Sequence, residues 1–426
     1  MNRRDFIKTA ALTAAGGLLL SRFSLAADET SAALTGKADV GVSSMPLRKF
    51  GKTGVSVSPL GFGMMRLPTT DGKINQGEVE RMLKYAIEHG LNYIDTAYVY
   101  HKGESEVATG LALKKSGYRD KVNIATKYPF WGAKNPSHFD KVLDEQLKRL
   151  QTDHIDMYLL HSLNAGIWKN QAVPWKIMDK LEAARKAGKI RFLGFSIHDS
   201  FDAFKEIVDD YGKWDFCQIQ LNYLDENYQA GLRGVKYAAE KGMGVVIMEP
   251  LRGGQLASNL PTAVSAVFSE APKQKTPVEW ALDYLWNMPE ISIALSGMGE
   301  MQHVQDNILY AERSSVGMLS KEDLAVVEKA HQAFLGKNAV PCTSCGYCLP
   351  CPVGIPIPSF FTALNTVGNR GKERGQRQYD GEAKKAGVRA SDCITCRKCE
   401  DKCPQHIKIA DKMKEVAAAF DTAAKK

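Results

Sequence analysis

No apolar run in this chain is long enough to cross a bilayer. The uncharged stretch Thr9–Leu20 has 12 residues, where a spanning helix needs about 20, so no membrane span is expected. No strand-adjacent G-x-G-x-x-G occurs either, which disfavours a doubly wound open sheet with a dinucleotide crevice. Cysteine is almost missing from the first four-fifths: Cys217 stands alone before Cys342. Inside a strand-like segment it reads as a small buried hydrophobe. Compositional bias is missing too, with 44% hydrophobic and 24% charged residues, which excludes collagen-like, coiled-coil and wholly disordered chains. The 426 residues suggest two or three domains, unless one is a β/α barrel of about 250 residues.

Residues 1–26 have the layout of a secretory signal. Arg3 and Arg4 precede Phe6, Ile7 and Lys8, a short apolar stretch follows, and Ser24-Leu25-Ala26 supplies small residues for cleavage. The arginine pair resembles the twin-arginine type, with Asn2 where Ser or Thr is usual. That type implies export to the periplasm after folding, the route for a chain whose cofactors are inserted in the cytoplasm. Residues 27–45, rich in Ala, Ser, Thr and Gly without apolar periodicity, read as a flexible tether.

From residue 46 to 330 the chain repeats one unit, an amphipathic helix-period segment and then a short β-branched or apolar run. The strand candidates are Pro59–Met64, Tyr93–Thr96, Val122–Thr126, Ile155–Leu160, Ile190–Ser196, Phe216–Leu221, Gly244–Met248 and Ile291–Leu295. Helix candidates include Gln76–His89, Phe139–Leu150, Pro174–Ala187, Leu232–Lys241 and Pro277–Trp286. Gly90, Gly188 and Gly242 stand where a left-handed C-cap is wanted. Eight such units predict an α/β fold, a closed (β/α)8 TIM barrel. Arg48–Val57 reads as a hairpin ahead of the first barrel strand.

Barrel chemistry sits at the C-terminal strand ends. The second strand ends in Asp95-Thr96-Ala97 with Tyr98 and Tyr100 beyond, the third in Lys127, the fourth in His161. Singly these read as a cap, a solvated cation and a core histidine. Together, on three successive strand ends, they make a proton-donating site. The run Asp95-Thr96-Ala97-x-x-Tyr100, with Lys127 and His161, resembles the tetrad of the aldo/keto reductases. The resemblance implies Tyr100 as general acid/base, Lys127 lowering its pKa, Asp95 holding Lys127, and His161 orienting the substrate oxygen; Tyr98 is the competing tyrosine that the spacing disfavours. It also implies a nicotinamide site. Ser196 and Gln220 would meet the carboxamide, Met248 stands where an aromatic residue often stacks, and Ile197 where Asn often follows the serine. Leu251 and Gly253, with Gly297 to Asn307, would hold the pyrophosphate and adenosine. The basic residues that usually grip a 2′-phosphate fall on Gly297 and His303, so NAD and NADP both stay open.

Cys342-x2-Cys345-x2-Cys348-x2-Cys351-Pro352 and Cys393-x2-Cys396-x2-Cys399-x3-Cys403-Pro404 form two runs. The second has the spacing of the bacterial iron–sulfur motif, and the first is one residue short before its last cysteine. Because the cysteine before proline reaches the other cluster, Cys342, Cys345, Cys348 and Cys403 are assigned to one [4Fe–4S] and Cys393, Cys396, Cys399 and Cys351 to the second. Structural zinc and disulfides compete, but tandem runs ending in Cys-Pro favour iron. The 41 residues between the runs are read as a helix near Ser359–Asn365 and a basic loop from Gly368 to Arg377, in a mainly helical dicluster ferredoxin-type domain over 331–426 that ends in a C-terminal helix. Barrel then dicluster resembles the iron–sulfur branch of the aldo/keto reductases.

The combination implies an oxidoreductase acting on a small-molecule carbonyl or alcohol, with the clusters passing electrons to or from a partner protein. The alternative is an electron-transfer subunit whose barrel is a docking platform. The formal charge of +8 does not call for a nucleic-acid partner. The signal carries four Lys and Arg against Asp5, and residues 341–426 carry fifteen against nine Asp and Glu. Two thiolate-ligated clusters at about −2 each would offset most of the latter.

Overall fold

The computed structural model describes residues 45–334 and 339–421, with only the backbone of Asn369 and Arg370. The expected signal and all of the tether before Met45 lie outside the described residues; Met45 itself is buried against the barrel.

All eight expected strands form: β1 Leu60–Gly63, β2 Tyr93–Asp95, β3 Asn123–Pro129, β4 Ile155–Leu163, β5 Ile190–Ile197, β6 Phe216–Gln220, β7 Gly244–Met248 and β8 Ile293–Ser296. Each pairs in parallel with its sequence neighbours and β8 pairs with β1, closing a TIM barrel. Helices wrap it: α1 Gln76–Glu88, α2 Glu104–Ser116, α3 His138–Leu150, α4 Ile177–Lys186, α5 Phe201–Tyr211, α6 Gly231–Glu240, α7 Thr262–Ser269, α8 Pro277–Trp286, α9 Met301–Glu312 and α10 Lys321–Phe334. Gly90, Gly188 and Gly242 take positive φ after α1, α4 and α6, where a residue with a Cβ would be strained.

The interior is filled by Ala125, Leu159, Phe216, Val246, Ile293 and Leu295. The hairpin Arg48–Lys49 with Ser56–Val57 carries Phe50 to the floor of the barrel, where Gly244 leaves it room: a Cβ there would stand 2.7 Å from the phenyl ring. Arg48 fastens the hairpin by donating to the carbonyls of Met288 and Ile291 at 3.2 and 2.8 Å.

Helix α10 crosses residue 331, and Phe334 still packs in the barrel's hydrophobic cluster. A second, separate cluster begins at Val340. It is built on α11 Ile357–Arg370, α12 Lys372–Ala386 and α13 Ile409–Phe420. The loop expected over Gly368–Arg377 is not a loop. Only Gly371, at φ 85°, separates α11 from α12. The Lys, Glu, Arg and Gln residues there are good helix formers, and α12 is fixed by burying Tyr379 and Ala383. Among the described residues no helix is long and apolar enough to cross a membrane.

Candidate active site and iron–sulfur centres

Strand register brings the expected site residues together. Asp95 pairs with Ala125 and Lys127 with Leu159, and Leu159 pairs with Gly194, which pairs with Phe216. Two residues on from Ala125, Leu159 and Gly194 along their strands stand Lys127, His161 and Ser196. Side chains two apart share a face, so Asp95, Lys127, His161 and Ser196 all project into the mouth.

Lys127 is fully buried and its Nζ donates to Asp95 Oδ1 at 2.6 Å and to the Thr96 carbonyl at 2.7 Å. Behind it Gln146 donates to the Lys127 carbonyl at 3.0 Å and to Glu106 at 2.8 Å, while Arg149 pairs with Glu106 at 3.1 Å. This support fixes the strand end on which Lys127 rides. Burial drives both Lys127 and Asp95 toward their neutral forms, and each opposes that in the other.

Tyr100 begins a short 3-10 turn beyond β2. Its ring centroid lies 5.0 Å from Lys127 Nζ and 5.9 Å from the His161 ring. The expectation that Lys127 lowers the Tyr100 pKa is not met. Burial pushes the phenol well above its usual value, and Tyr347 and Asp95 add to it; desolvation of a phenolate outweighs a cation that Asp95 already neutralises. Burial therefore favours the protonated phenol of Tyr100. His161 is held neutral by burial and then by the nearby Lys127, and its Nδ1 has no partner. Tyr98 points away, donating to Glu145 at 2.7 Å and stacking on Arg149.

A cavity of about 470 Å³ runs from this tetrad. Ser196, Met248, Leu251, Gly253, Gly297, His303 and Asn307 line it, so seven of the eight expected nucleotide residues fall on one surface. Gln218 also faces it, with a buried, unpartnered carbonyl oxygen. Such an orphaned acceptor suits an amide donor such as a carboxamide. Gln220 does not line the cavity. Its amide is engaged by Asp225 at 3.4 Å and by Gln405 at 2.9 Å, because the second domain covers that part of the mouth.

The eight distal cysteines form two sets. Cys342, Cys345, Cys348 and Cys403 surround one apolar cavity with Ile357, Phe361 and Ile407. Cys351, Cys393, Cys396 and Cys399 surround another with Val353, Ile355 and Met413. The pairing is the crossed one the Cys-Pro rule predicts. Among the described residues no three His, Cys, Asp or Glu side chains converge closely enough to hold a single metal ion. Four thiols around one apolar space are the ligand set that a cubane cluster takes.

The first set adjoins the tetrad. Cys345 and Thr343 line both its cavity and the barrel cavity. Tyr347, two residues beyond Cys345, lines the cavity with Tyr100, and its ring lies 6.4 Å from His161 and 6.0 Å from Trp131. The domains are stitched around this point. Tyr228 donates to the Gln405 carbonyl at 2.6 Å, Gln229 to the Pro404 carbonyl at 2.8 Å, and the His406 ring bonds the His198 carbonyl at 2.6 Å. Gly253, at φ 66°, lets the Thr343 carbonyl approach to within 2.0 Å of where a Cβ would stand.

A sequence profile of the aldo/keto reductase family matches residues 59–331. The chain belongs to the aldo/keto reductase family. A second profile, of the 4Fe-4S dicluster domain, matches residues 341–407. This reductase is 28% identical to L-galactose dehydrogenase of Arabidopsis thaliana over 306 residues, covering 67% of this chain and 94% of the plant protein. It is 27% identical to Protein tas of Escherichia coli, covering 68% and 99%. Among solved structures it resembles the holo form of the aldo-keto reductase AKR11C1 of Bacillus halodurans, with a TM-score of 0.56 and 25% identity over 67% of this chain and 96% of that one. These relatives align with part of the chain, and the dicluster domain makes this reductase a two-domain oxidoreductase with iron–sulfur electron transfer.

Sequence reasoning missed Tyr347, Trp131, His198 and Glu249 of this reductase, all at or beside the cavity. Tyr347 lay inside the first cysteine run, and Trp131 just beyond the third strand; both were visible as aromatics beside marked positions. Glu249 carried no signal. It takes a left-handed φ of 56°, and burial pushes its carboxyl up to about 7.

Proposed function

We propose that this chain is an exported oxidoreductase that interconverts a carbonyl and an alcohol, its two clusters passing electrons to or from a partner protein. The observation that carries the reading is one shared wall: Tyr100, Lys127, His161 and Cys345 line the same cavity. When bound, a nicotinamide would supply or take the hydride, and the two [4Fe–4S] clusters would return or remove, one at a time, the two electrons that recycle it, with one proton exchanged with solvent. NAD and NADP both remain candidates.

In the reducing direction the carbonyl carbon gains a hydride and its oxygen a proton. Tyr100 Oη is the donor of that proton, and neutral His161 offers a second hydrogen bond to the oxygen. The Lys127–Asp95 pair, close to neutral as a whole, fixes the strand ends beneath Tyr100, so the negative charge developing on the oxygen is met by the Tyr100 and His161 hydrogen bonds. In the oxidising direction Tyr100 takes the proton back. Tyr347 lines the site, and Trp131 stands edge-on to His161 beside it. Cys351, Cys393, Cys396 and Cys399 lie on the side open to a partner, since Cys396 is exposed and the neighbouring Ile394 is 59% exposed. Export through the twin-arginine route to the periplasm rests on Arg3, Arg4 and the apolar stretch behind them.

A second reading, an electron-transfer subunit with a silent barrel, is favoured by Gln405 on Gln220 and by Tyr347 of the second domain lining the cavity beside Tyr100. Protein purified without oxygen from the exported fraction separates the two. Substrate-reducible nicotinamide supports the enzyme, and clusters with no nucleotide affinity support the subunit. Tyr100→Phe is expected to abolish turnover while leaving the cluster absorption unchanged; normal turnover in that variant would sink the tetrad assignment.

A further inference from the structure

Arg66 has no role in the tetrad or the clusters, yet it lines the cavity. It ends the 3-10 turn Met64–Arg66 that follows β1. Its stem lies against Gly297: a Cβ at that glycine would meet Arg66 Cδ, Cγ and Cβ at 3.2, 3.3 and 3.4 Å. Its guanidinium reaches toward the Thr343 carbonyl at 3.5 Å, the limit of a hydrogen bond. Thr343 is the residue that presses on Gly253. Arg66 thus bridges the segment after β8 and the cysteine loop at Thr343 that abuts Gly253, on the wall of the cavity that Gly253 and Gly297 also line.

The charges of the cavity give this position a meaning. Asp95, Glu249 and Asp306 line it as acids, and Lys127 and Arg66 as the cations. Lys127 is consumed by Asp95. Arg252, on the adjoining loop, is turned to Asp225 at 3.0 Å. Arg66 makes no ion pair within 4 Å among the described residues; its charge acts on Glu249 across the cavity, and its hydrogen bond is the long one to Thr343. A doubly charged pyrophosphate in a cavity that also holds Glu249 and Asp306 needs a cation, and Arg66 is the one free to turn to it. Guanidinium forms paired, charge-assisted bonds to phosphate oxygens.

We propose that Arg66 binds the pyrophosphate of a dinucleotide in this cavity, with the adenosine toward His303, Asp306 and Asn307. Gly297 is small because Arg66 fills its place from another strand end. The proposal rests on the nicotinamide reading above. Since the pyrophosphate is common to both nucleotides, Arg66 contributes equally to NADH and NADPH.

The test is calorimetric titration of the full, cluster-loaded chain with NADH and with NADPH, at low and high salt, without oxygen and without substrate. Arg66→Met keeps the stem on Gly297 and removes the charge. It is expected to raise Kd for both nucleotides by about tenfold or more and to flatten the salt dependence. Arg66→Lys is expected to recover much of the affinity, and unchanged cluster absorption in both variants confirms an intact loop. Wild-type affinity in Arg66→Met, or a loss confined to NADPH, overturns the proposal while leaving the nicotinamide reading standing. A wild-type chain that takes up neither nucleotide overturns both.

Discussion

Asp95→Asn probes the tetrad through stability rather than turnover, so it needs no knowledge of the substrate. The Lys127–Asp95 pair lies 2.6 Å apart with side-chain exposures of 0% and 4%. In the wild type the pair holds one proton whichever partner carries it. Asn keeps an acceptor near Lys127 Nζ but removes the countercharge. An unpaired buried ammonium costs about 3–5 kcal/mol, and the alternative, deprotonating a lysine of ordinary pKa ~10.4 at pH 7, costs about 4.6 kcal/mol. Both routes lead to a deficit of about 3–5 kcal/mol. Burial already pushes Lys127 down, and loss of Asp95 pushes it further. The folded variant then holds one proton fewer than the unfolded chain, so its stability rises with pH by about 1.4 kcal/mol per unit below the unfolded pKa. The deficit against wild type should shrink to about 2 kcal/mol at pH 9. Thermal scans of the cluster-loaded protein at pH 7 and pH 9 read this out, as a midpoint lowered by the order of 10 °C at pH 7 and by less at pH 9. A deficit under about 1 kcal/mol at pH 7 would refute a buried ion pair under Tyr100, whereas a large deficit that does not change over that range would mean that Lys127 stays charged in the variant.

Crossed ligation predicts that Cys351→Ala and Cys393→Ala leave the same reduced-state electron paramagnetic resonance signal, that of the Cys342 set, while Cys403→Ala and Cys342→Ala leave the other. If Cys351→Ala instead matched Cys342→Ala, the runs would ligate separately. Gly253→Ala should destabilise by about 2 kcal/mol or more, since a Cβ would collide with the Thr343 carbonyl on top of the strain of a left-handed φ. Gly254→Ala, at φ 94° with open space around its Cβ, carries the strain alone, and equal melting points for the two would show that the close approach is unimportant. Replacing Arg3 and Arg4 by lysine should hold the loaded protein in the cytoplasm, as read by fractionation and immunoblotting; unchanged export would remove the twin-arginine reading.

The barrel was legible because each strand is short, apolar and buried on both faces, and each helix closes with a glycine or a cap. The tetrad was legible because β2, β3 and β4 end in polar residues that a strand core does not tolerate. The pairing of cysteines was legible from the proline after Cys351 and Cys403. What failed did so for identifiable reasons. The stretch Gly368–Arg377 carries enough charge and glycine to read as a loop, but the helix that continues from it to Ala386 buries Tyr379 and Ala383 only when α11 and α13 are in place. Gln220 was read as a carboxamide ligand from strand position alone, and nothing local shows that Gln405, 185 residues away, takes its amide.

The same division runs through the whole protein. Residue order by itself determined the eight-unit barrel, the Asp95, Tyr100, Lys127 and His161 constellation and the two sets of four cysteines, because period, strand-end polarity and cysteine spacing are local properties. Only the tertiary structure decided where the two chemistries meet. That Tyr347 and Cys345 lie at the mouth beside Tyr100, that Gln220 is covered, and that Arg66 stands in for a side chain at Gly297 all depend on packing between segments remote in sequence. Such contacts are set by the shape and hydrogen-bond demands of two finished surfaces, which no single segment encodes.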